Sequence, residues 1–595
     1  MAYSLNWDLD VFFKGGSSSA DFLLHLDEIK QDVAKLERLV CQLDSKGSEM
    51  SLIEALDLYK VTNMKVGQAG SFIGCLEAQD VQDKKASQLR IHLMKVEASL
   101  QMVLFELDEK LVQLNDDWFE ATLKKEPLKE IAYILNERRD RAKDKLSVKE
   151  ESLITQLSMD GFEGWSQMYD TIVGSMTISF KGETLSVGQA ANKFSMSDQS
   201  VRDELFIAWE NAWEEKSELF ARTLNHLAGF RISVNEKRGW DDILKEPLEI
   251  CRMEKKTLES MWQVIADNKA PLVKFLQRKA ELLDLEKLSW SDLDAPIAVT
   301  ATSNVMEYQE GAAFIIEQFS KFGSHLAEFT QKAFEDSWIE AEDRPGKRPG
   351  GFCTGFPLDN QSRIFMTYSG TPSNVSTLAH ELGHAFHSHV MGDIHPLNRS
   401  YAMNVAETAS TFAEMVVSDA AVKNASSEEE KLILLEDKIQ RSVSLLMNIH
   451  ARFLFESRFY EERKQGYVSA ERLNQLMVES QKEAYGEALS EYHPTFWASK
   501  LHFYITDVPF YNFPYTFGYL FSLGIYEKAL KEPVGFEEKY MALLKDTGAM
   551  NVEDLAKKHL GVDITTRDFW EEAVSVCMKD VEEFMDLTDP LVRKA

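Results

Sequence analysis

KKASQLRIHLMKVEASLQMVLFELDEKLVQLND, residues 84–116, places Leu89, Leu93, Val96, Leu100, Val103 and Leu107 at intervals of three and four. That spacing is the period of one helical face, so the six side chains form a stripe to be buried against another element. Comparable patterns run through 21–44, 201–235, 255–283, 310–335, 428–464 and 470–486. Strand signals are few: MTISFKGETLSV (176–187) alternates around Lys181-Gly182 like a hairpin, and SRIFMTYSG (362–370) reads as a short strand. The expected fold is mostly α, with a small β element. No Pro/Gly/Ser-rich linker longer than a few residues divides the 595-residue chain, which argues for one compact body despite its length. Within it, the expected regions are N-terminal helices over 1–115, a segment with the hairpin over 116–200, and the remainder over 201–595.

Composition excludes several functions. With 66 basic and 97 acidic residues the net charge is −31, which repels nucleic acid and anionic membrane. Cys41, Cys75, Cys251, Cys353 and Cys577 are odd in number and form no CxxC pair. That pattern argues for reduced thiols and against both a disulfide framework and a thiolate metal site. MAYSLNWDLDVFF lacks a basic and then continuously apolar start, so no secretory signal is expected and a cytoplasmic location is. Val508 to Tyr526 runs 19 residues without a charge, near membrane-spanning length, but Pro509, Asn512 and Pro514 interrupt it. A buried, aromatic wall is the expected structure there.

Directly after the second strand signal comes STLAHELGHAFHSH, residues 376–389. His380-Glu381-Leu382-Gly383-His384 is an H-E-x-x-H match. On a helix, residues four apart project about 40° from each other, one turn removed, so His380 and His384 can reach one ion. Glu381 projects about 100° away, beside that ion, where a carboxylate can hold a water and take its proton. Ser373-Asn374 is the expected N-cap of the helix. His387 lies a further turn along, too far for the same tetrahedral ion, and together with His389 and His395 is expected to serve the core.

A hydrolytic zinc site takes three protein ligands and keeps one position open. YAMNVAETASTFAEMVVSDAA (401–421) is a helix candidate with Glu407 and Glu414 seven apart on nearly one face. Thr408, Ala409 and Ser410 are small enough for close approach to the first helix, so Glu407 is the expected third ligand, completing a His2Glu set around Zn2+. Glu414 is expected to hydrogen-bond a ligand or the substrate.

GKRPGGFCTGF (346–356), IFMTYSGT (364–371), TLAHELGHAFH (377–387), VAETASTFAE (405–414) and HFYITDVPFYNFPYTFGYLFS (502–522) together resemble the oligoendopeptidase F branch of the thimet-oligopeptidase-like metallopeptidases. The resemblance is densest over about 340–525 and reaches loosely to WDLD (7–10). It implies a bowl- or clam-like helical fold whose deep channel admits short unstructured peptides. It also implies His380, His384 and Glu407 as metal ligands, Glu381 as general base, and the loop before Cys353 with the strand at 364–368 as the wall along which substrate lies. An oxyanion forming during attack on a peptide carbonyl wants a donor aimed at it. His502, Tyr511 and Tyr515 resemble the family's histidine and paired tyrosines, the two tyrosines being compatible with one helical face; Tyr519 competes for one tyrosine role. The function implied is zinc-dependent internal cleavage of oligopeptides. A related carboxypeptidase or dipeptidase is the nearest rival, with Arg348, Arg363 or Arg399 as candidate carboxylate anchors, and a non-catalytic peptide-binding protein is the other.

Overall fold

The computed structural model describes residues 2–44, 47–297 and 306–592. Helix dominates throughout. Ala20–Gln42, Glu49–Gln79 and Lys84–Gln113 pack against one another, and the stripe of the third buries Leu89, Leu93, Leu100, Val103 and Leu107. Several patterned stretches divide where the sequence interrupts them. The 310–335 stretch becomes Tyr308–Phe322 and Ser324–Glu335, parted at Gly323, and 255–283 becomes Lys255–Asn268 and Ala270–Leu282, the second opening with Pro271. Conversely, 201–235 belongs to one 40-residue helix, Gln199–Arg238, ended by Gly239 at φ 73°. Thr177–Phe180 and Glu183–Ser186 pair antiparallel, and both turn residues, Lys181 and Gly182, are left-handed, as a two-residue hairpin requires.

Two hydrophobic cores form. One gathers the N-terminal helices through Leu135; the other runs from Tyr169 to Phe584. A three-stranded sheet lies between them: Gln361–Phe365 is central, parallel to Ile339–Glu340 on one side and antiparallel to Phe352–Phe356 on the other. Successive strand side chains point to opposite faces. Phe352, Phe356 and Phe365 accordingly enter the N-terminal core, while Ile364 and Met366 enter the larger one. The sheet is thus a wedge held from both faces, and the helix carrying the H-E-x-x-H segment packs on it.

This topology corrects one expectation. The strand at 361–365 has neighbours on both sides, so its main chain cannot serve an extended ligand. The open edge belongs instead to Phe352–Phe356, the strand that follows the glycine-rich loop before Cys353. Ile364 N–H donates to Trp338 O and Met366 N–H to Glu340 O. Alternation in an antiparallel ladder then turns the main chain of Cys353, the partner of Ile364, outward. Further along the same edge, Ser71 Oγ already caps Gly355 O at 2.6 Å. Among the described residues no helix is long and apolar enough to cross a membrane; the uncharged stretch ends in the buried helix Phe513–Lys531.

Candidate metal centre

The helix Pro372–Val390 starts two residues earlier than Ser373-Asn374 would place it. Thr371 is its N-cap, accepting from Asn374 N–H in a reciprocal capping box, and Pro372 takes the first helical position, where its missing N–H costs nothing. One turn apart on this helix, His380 and His384 bring their rings to 4.9 Å. A second helix, Met403–Lys423, crosses it with main chains almost touching: a Cβ on Gly383 would lie 2.4 Å from Ala409 O and 2.6 Å from Ser410 Cα. Only glycine fits there. The buried helix Phe513–Lys531 backs the second in the same manner, with Gly518 against Asn404 O (3.0 Å) and Glu407 Cβ (3.1 Å) for any added methyl. These two glycines let three helices converge, and Glu407 is carried to the histidines.

Glu407 Oε2 lies 3.2 Å from His380 Nε2 and 3.5 Å from His384 Nε2. A tetrahedron with metal–ligand bonds of about 2.0–2.1 Å has edges of about 3.4 Å, so these separations suit one zinc-sized ion. The three donor atoms lie within 4.8 Å of one another. The other ring nitrogen of His380, Nδ1, faces Glu414 Oε2 at 3.2 Å, and with a metal bound a proton held there would free the Nε2 lone pair for the ion. Glu414 is itself held by Ser376 Oγ (2.8 Å) and by Arg441. Ser410 Oγ donates to Glu407 Oε2 at 2.8 Å.

Electrostatics match this geometry. Burial opposes the charge on Glu407, yet the hydrogen bond from His380, the charges of both histidines and the Ser410 hydroxyl outweigh it and hold the carboxyl at about 2. His384 is driven down to about 4 by burial, so its imidazole is neutral at pH 7 and free to ligate. Burial raises Glu381 to about 7, with His380 opposing the rise and Glu407 adding to it. Glu381 is 7% exposed and its Oε2 has no partner. An added Cβ on Gly351 would come within 3.5 Å of Glu381 Oε1, so the open strand edge begins directly beside this carboxylate.

His502, Tyr511 and Tyr515 lie in a row. The His502 and Tyr511 rings are 5.4 Å apart and those of Tyr511 and Tyr515 5.9 Å. Burial raises the Tyr515 hydroxyl above its ordinary range, with Tyr511 and Glu407 adding, so Tyr515 stands within electrostatic reach of the cluster. Tyr511 does not share a helical face with it: the helix begins at Phe513, and Tyr511 follows Phe510, which is left-handed at φ 54° and anchored by its N–H to Glu456 Oε1 at 3.1 Å. Tyr519 turns away, its hydroxyl bonded to Ser442 Oγ at 2.8 Å in the core. His387 is fully buried, 2.9 Å from Thr547 Oγ1 and stacked on Tyr401; His389 packs on Phe329, and His395 Nδ1 accepts from Leu397 N–H.

The sequence profile of Peptidase family M3 matches residues 194–576, and that of Oligopeptidase F matches 110–178. The chain belongs to peptidase family M3. It is a metalloendopeptidase by that membership. An oligoendopeptidase F homolog of Lactococcus lactis subsp. lactis is 23% identical over 98% of this chain and 97% of its own length. Among solved structures, a peptidase from Chlamydophila abortus has a TM-score of 0.82 at 19% identity, covering 99% of each chain. The oligoendopeptidase-F of Enterococcus faecium has a TM-score of 0.68 at 19% identity, over 96% of this chain and 99% of that one. These likenesses establish the shared, mostly helical fold.

Other residues that build this M3 site carry little signal in sequence. Gly383 falls at a free position of the H-E-x-x-H pattern, and nothing local marks it as a helix crossing. Gly518, Glu456 and Arg441 act through elements far away in the chain. A glycine inside an otherwise continuous apolar helix was the one available hint, since it weakens the helix unless something packs against it.

Proposed function

We propose that this M3 peptidase hydrolyses internal bonds of short, extended oligopeptides, with zinc held by His380, His384 and Glu407 and with Glu381 as the general base. The observation that carries the reading is the convergence of three donor atoms within 4.8 Å next to a buried carboxylate with a free oxygen. Two imidazoles and one carboxylate suit zinc and leave a coordination position open. Bound there, the ion would supply Lewis acidity to the scissile carbonyl and make water a better nucleophile.

The chain's own residues supply the rest. Glu381 takes the proton of the attacking water, then returns it to the leaving amine. Tyr515, with Tyr511 and His502 beside it, donates to the oxygen on which negative charge develops. Hydrogen bonding to the outward main chain of Cys353 aligns an extended peptide without reading its side chains, which suits broad specificity. All five cysteines are free, which fits a reducing compartment, and we place the enzyme in the cytoplasm.

Treatment with a chelator should abolish cleavage of peptides blocked at both ends, and added zinc should restore it. Chelator-resistant cleavage, or removal of terminal residues alone from unblocked peptides, would overturn this reading. The two tyrosines provide a sharper check of the oxyanion assignment. Tyr515→Phe should lower kcat by roughly a hundredfold with stability little changed. Tyr519→Phe should leave kcat near wild type and cost about 1 kcal/mol of stability through the lost Ser442 bond. Equal kcat for the two variants would remove Tyr515 from the site.

A further inference from the structure

Arg452 and Lys500 flank one aromatic ring. The guanidinium carbon of Arg452 is 5.3 Å and the ammonium of Lys500 4.9 Å from the centroid of Phe496. Arg452 spends two donors on neutral amides, Asn448 Oδ1 (2.8 Å) and Asn512 Oδ1 (2.9 Å). The Lys500 ammonium has no hydrogen-bond partner among the described residues, and neither cation forms an ion pair there; Asp294 acts on Lys500 through its charge alone. This is unusual in a chain with 97 acidic residues against 66 basic ones. Many other part-buried cations are matched by an acid: Lys438 meets Asp419 and Asp580, Arg138 meets Asp108, and Arg252 meets Glu137.

Holding two like charges in a partly dry site is costly unless an anion joins them. Burial, with Arg452 adding, brings the Lys500 ammonium down to about 8, so it is still mostly charged at pH 7. The same two cations, after burial, push His502 down to about 4. Asn512 links Arg452 directly to the loop of Tyr511, and the field of Arg452 extends to Tyr515. The cation pair therefore continues the row that runs from Glu407 through Tyr515, Tyr511 and His502. Polar atoms without partners cluster here as well: His502 Nδ1 and Asn512 Nδ2, the latter on a side chain only 2% exposed.

The arginines that sequence offered as carboxylate anchors are occupied or displaced. Arg363 is 1% exposed and bonded to Asp8 O, Arg399 holds Gly392 O at 2.6 Å, and Arg348 lies exposed on the segment whose main chain pairs with Ala78.

We infer that Arg452 and Lys500 form a carboxylate-binding subsite that anchors an acidic group of the substrate peptide a few residues from the scissile bond, on the tyrosine side of the metal centre. The anchor rests on the peptidase reading. Its ligand is a carboxylate, supplied either by the peptide C-terminus or by an Asp or Glu side chain. Hydrogen bonds from charged donors to a carboxylate are roughly twice as strong as neutral ones and depend on the ligand's charge.

The test compares matched internally quenched peptides with free-acid and amidated C-termini, and with Glu or Gln at each position beyond the cut. Wild-type enzyme should favour one charged form roughly tenfold or more in KM, and the favoured arm identifies the source. In Lys500→Met that ratio should fall toward one, and Lys500→Arg should restore it. Binding of the same peptides to Glu381→Gln enzyme, read by fluorescence anisotropy, reports the anchor without turnover. Cleavage with no preference for charge in either arm, or a preference untouched by Lys500→Met, would overturn the anchor. Charge-dependent binding without any hydrolysis by wild type would uphold the anchor and sink the peptidase reading.

Discussion

Replacing Glu381 with glutamine lowers peptide turnover by roughly a thousandfold and leaves the metal in place. The amide has nearly the shape of the carboxylate, so it fits the same buried pocket beside Gly351 and disturbs neither His380 nor His384. It cannot accept a proton from water. Glu381 Oε2 has no partner in the protein, so the substitution breaks no structural hydrogen bond, and thermal stability should hold. Burial raises the carboxyl to about 7, close to the working range for a group that must both take and return a proton. Metal content by elemental analysis and kcat on a quenched peptide settle the matter together. A variant that keeps more than a tenth of wild-type kcat removes Glu381 as the base; one that loses its metal shows a structural role instead.

Replacing Glu407 with alanine weakens zinc binding by more than the roughly 100-fold that loss of an outer partner of a metal ligand costs. Glu407 Oε2 meets both imidazoles and supplies the one negative charge among the three donors. Its low pKa, about 2, keeps that charge at every ordinary pH. Glu414→Gln provides the internal scale. Of the three donors Glu414 reaches only His380, at Nδ1, so its loss should loosen the ring and cost roughly 10- to 100-fold in zinc affinity. Competition with a coloured chelator measures both constants. Equal losses would place Glu407 outside the ligand set, and zinc retention by Glu407→Ala through dialysis against chelator would exclude it outright.

The contrast between Glu407 and Glu414 shows how far sequence reaches. Both stand on one helix face seven residues apart, and in sequence only the small residues Thr408, Ala409 and Ser410 rank Glu407 above Glu414 as a ligand. What separates them is where Gly383 lets the two helices touch: the contact falls two and three residues after Glu407, bringing that carboxylate to Nε2 and leaving Glu414 to Nδ1. Tyr515 and Tyr519 differ in the same way. Four residues apart on one helix, they lie one turn apart along its axis, which leaves Tyr515 beside Tyr511 within the field of Glu407 and puts the Tyr519 hydroxyl on Ser442. Tyr511 lies outside that helix, in a turn set by a left-handed Phe510.

By itself the sequence determined what local spacing determines: long helices with buried stripes, a two-residue hairpin, and two histidines one turn apart with a glutamate beside them. These follow from backbone periodicity, which each segment carries alone. Tertiary structure decided which strand edge stays open, which tyrosine comes near Glu407, and which cations lack an acid. Those depend on contacts between separate segments of the chain, where two glycines permit approach that no local pattern records.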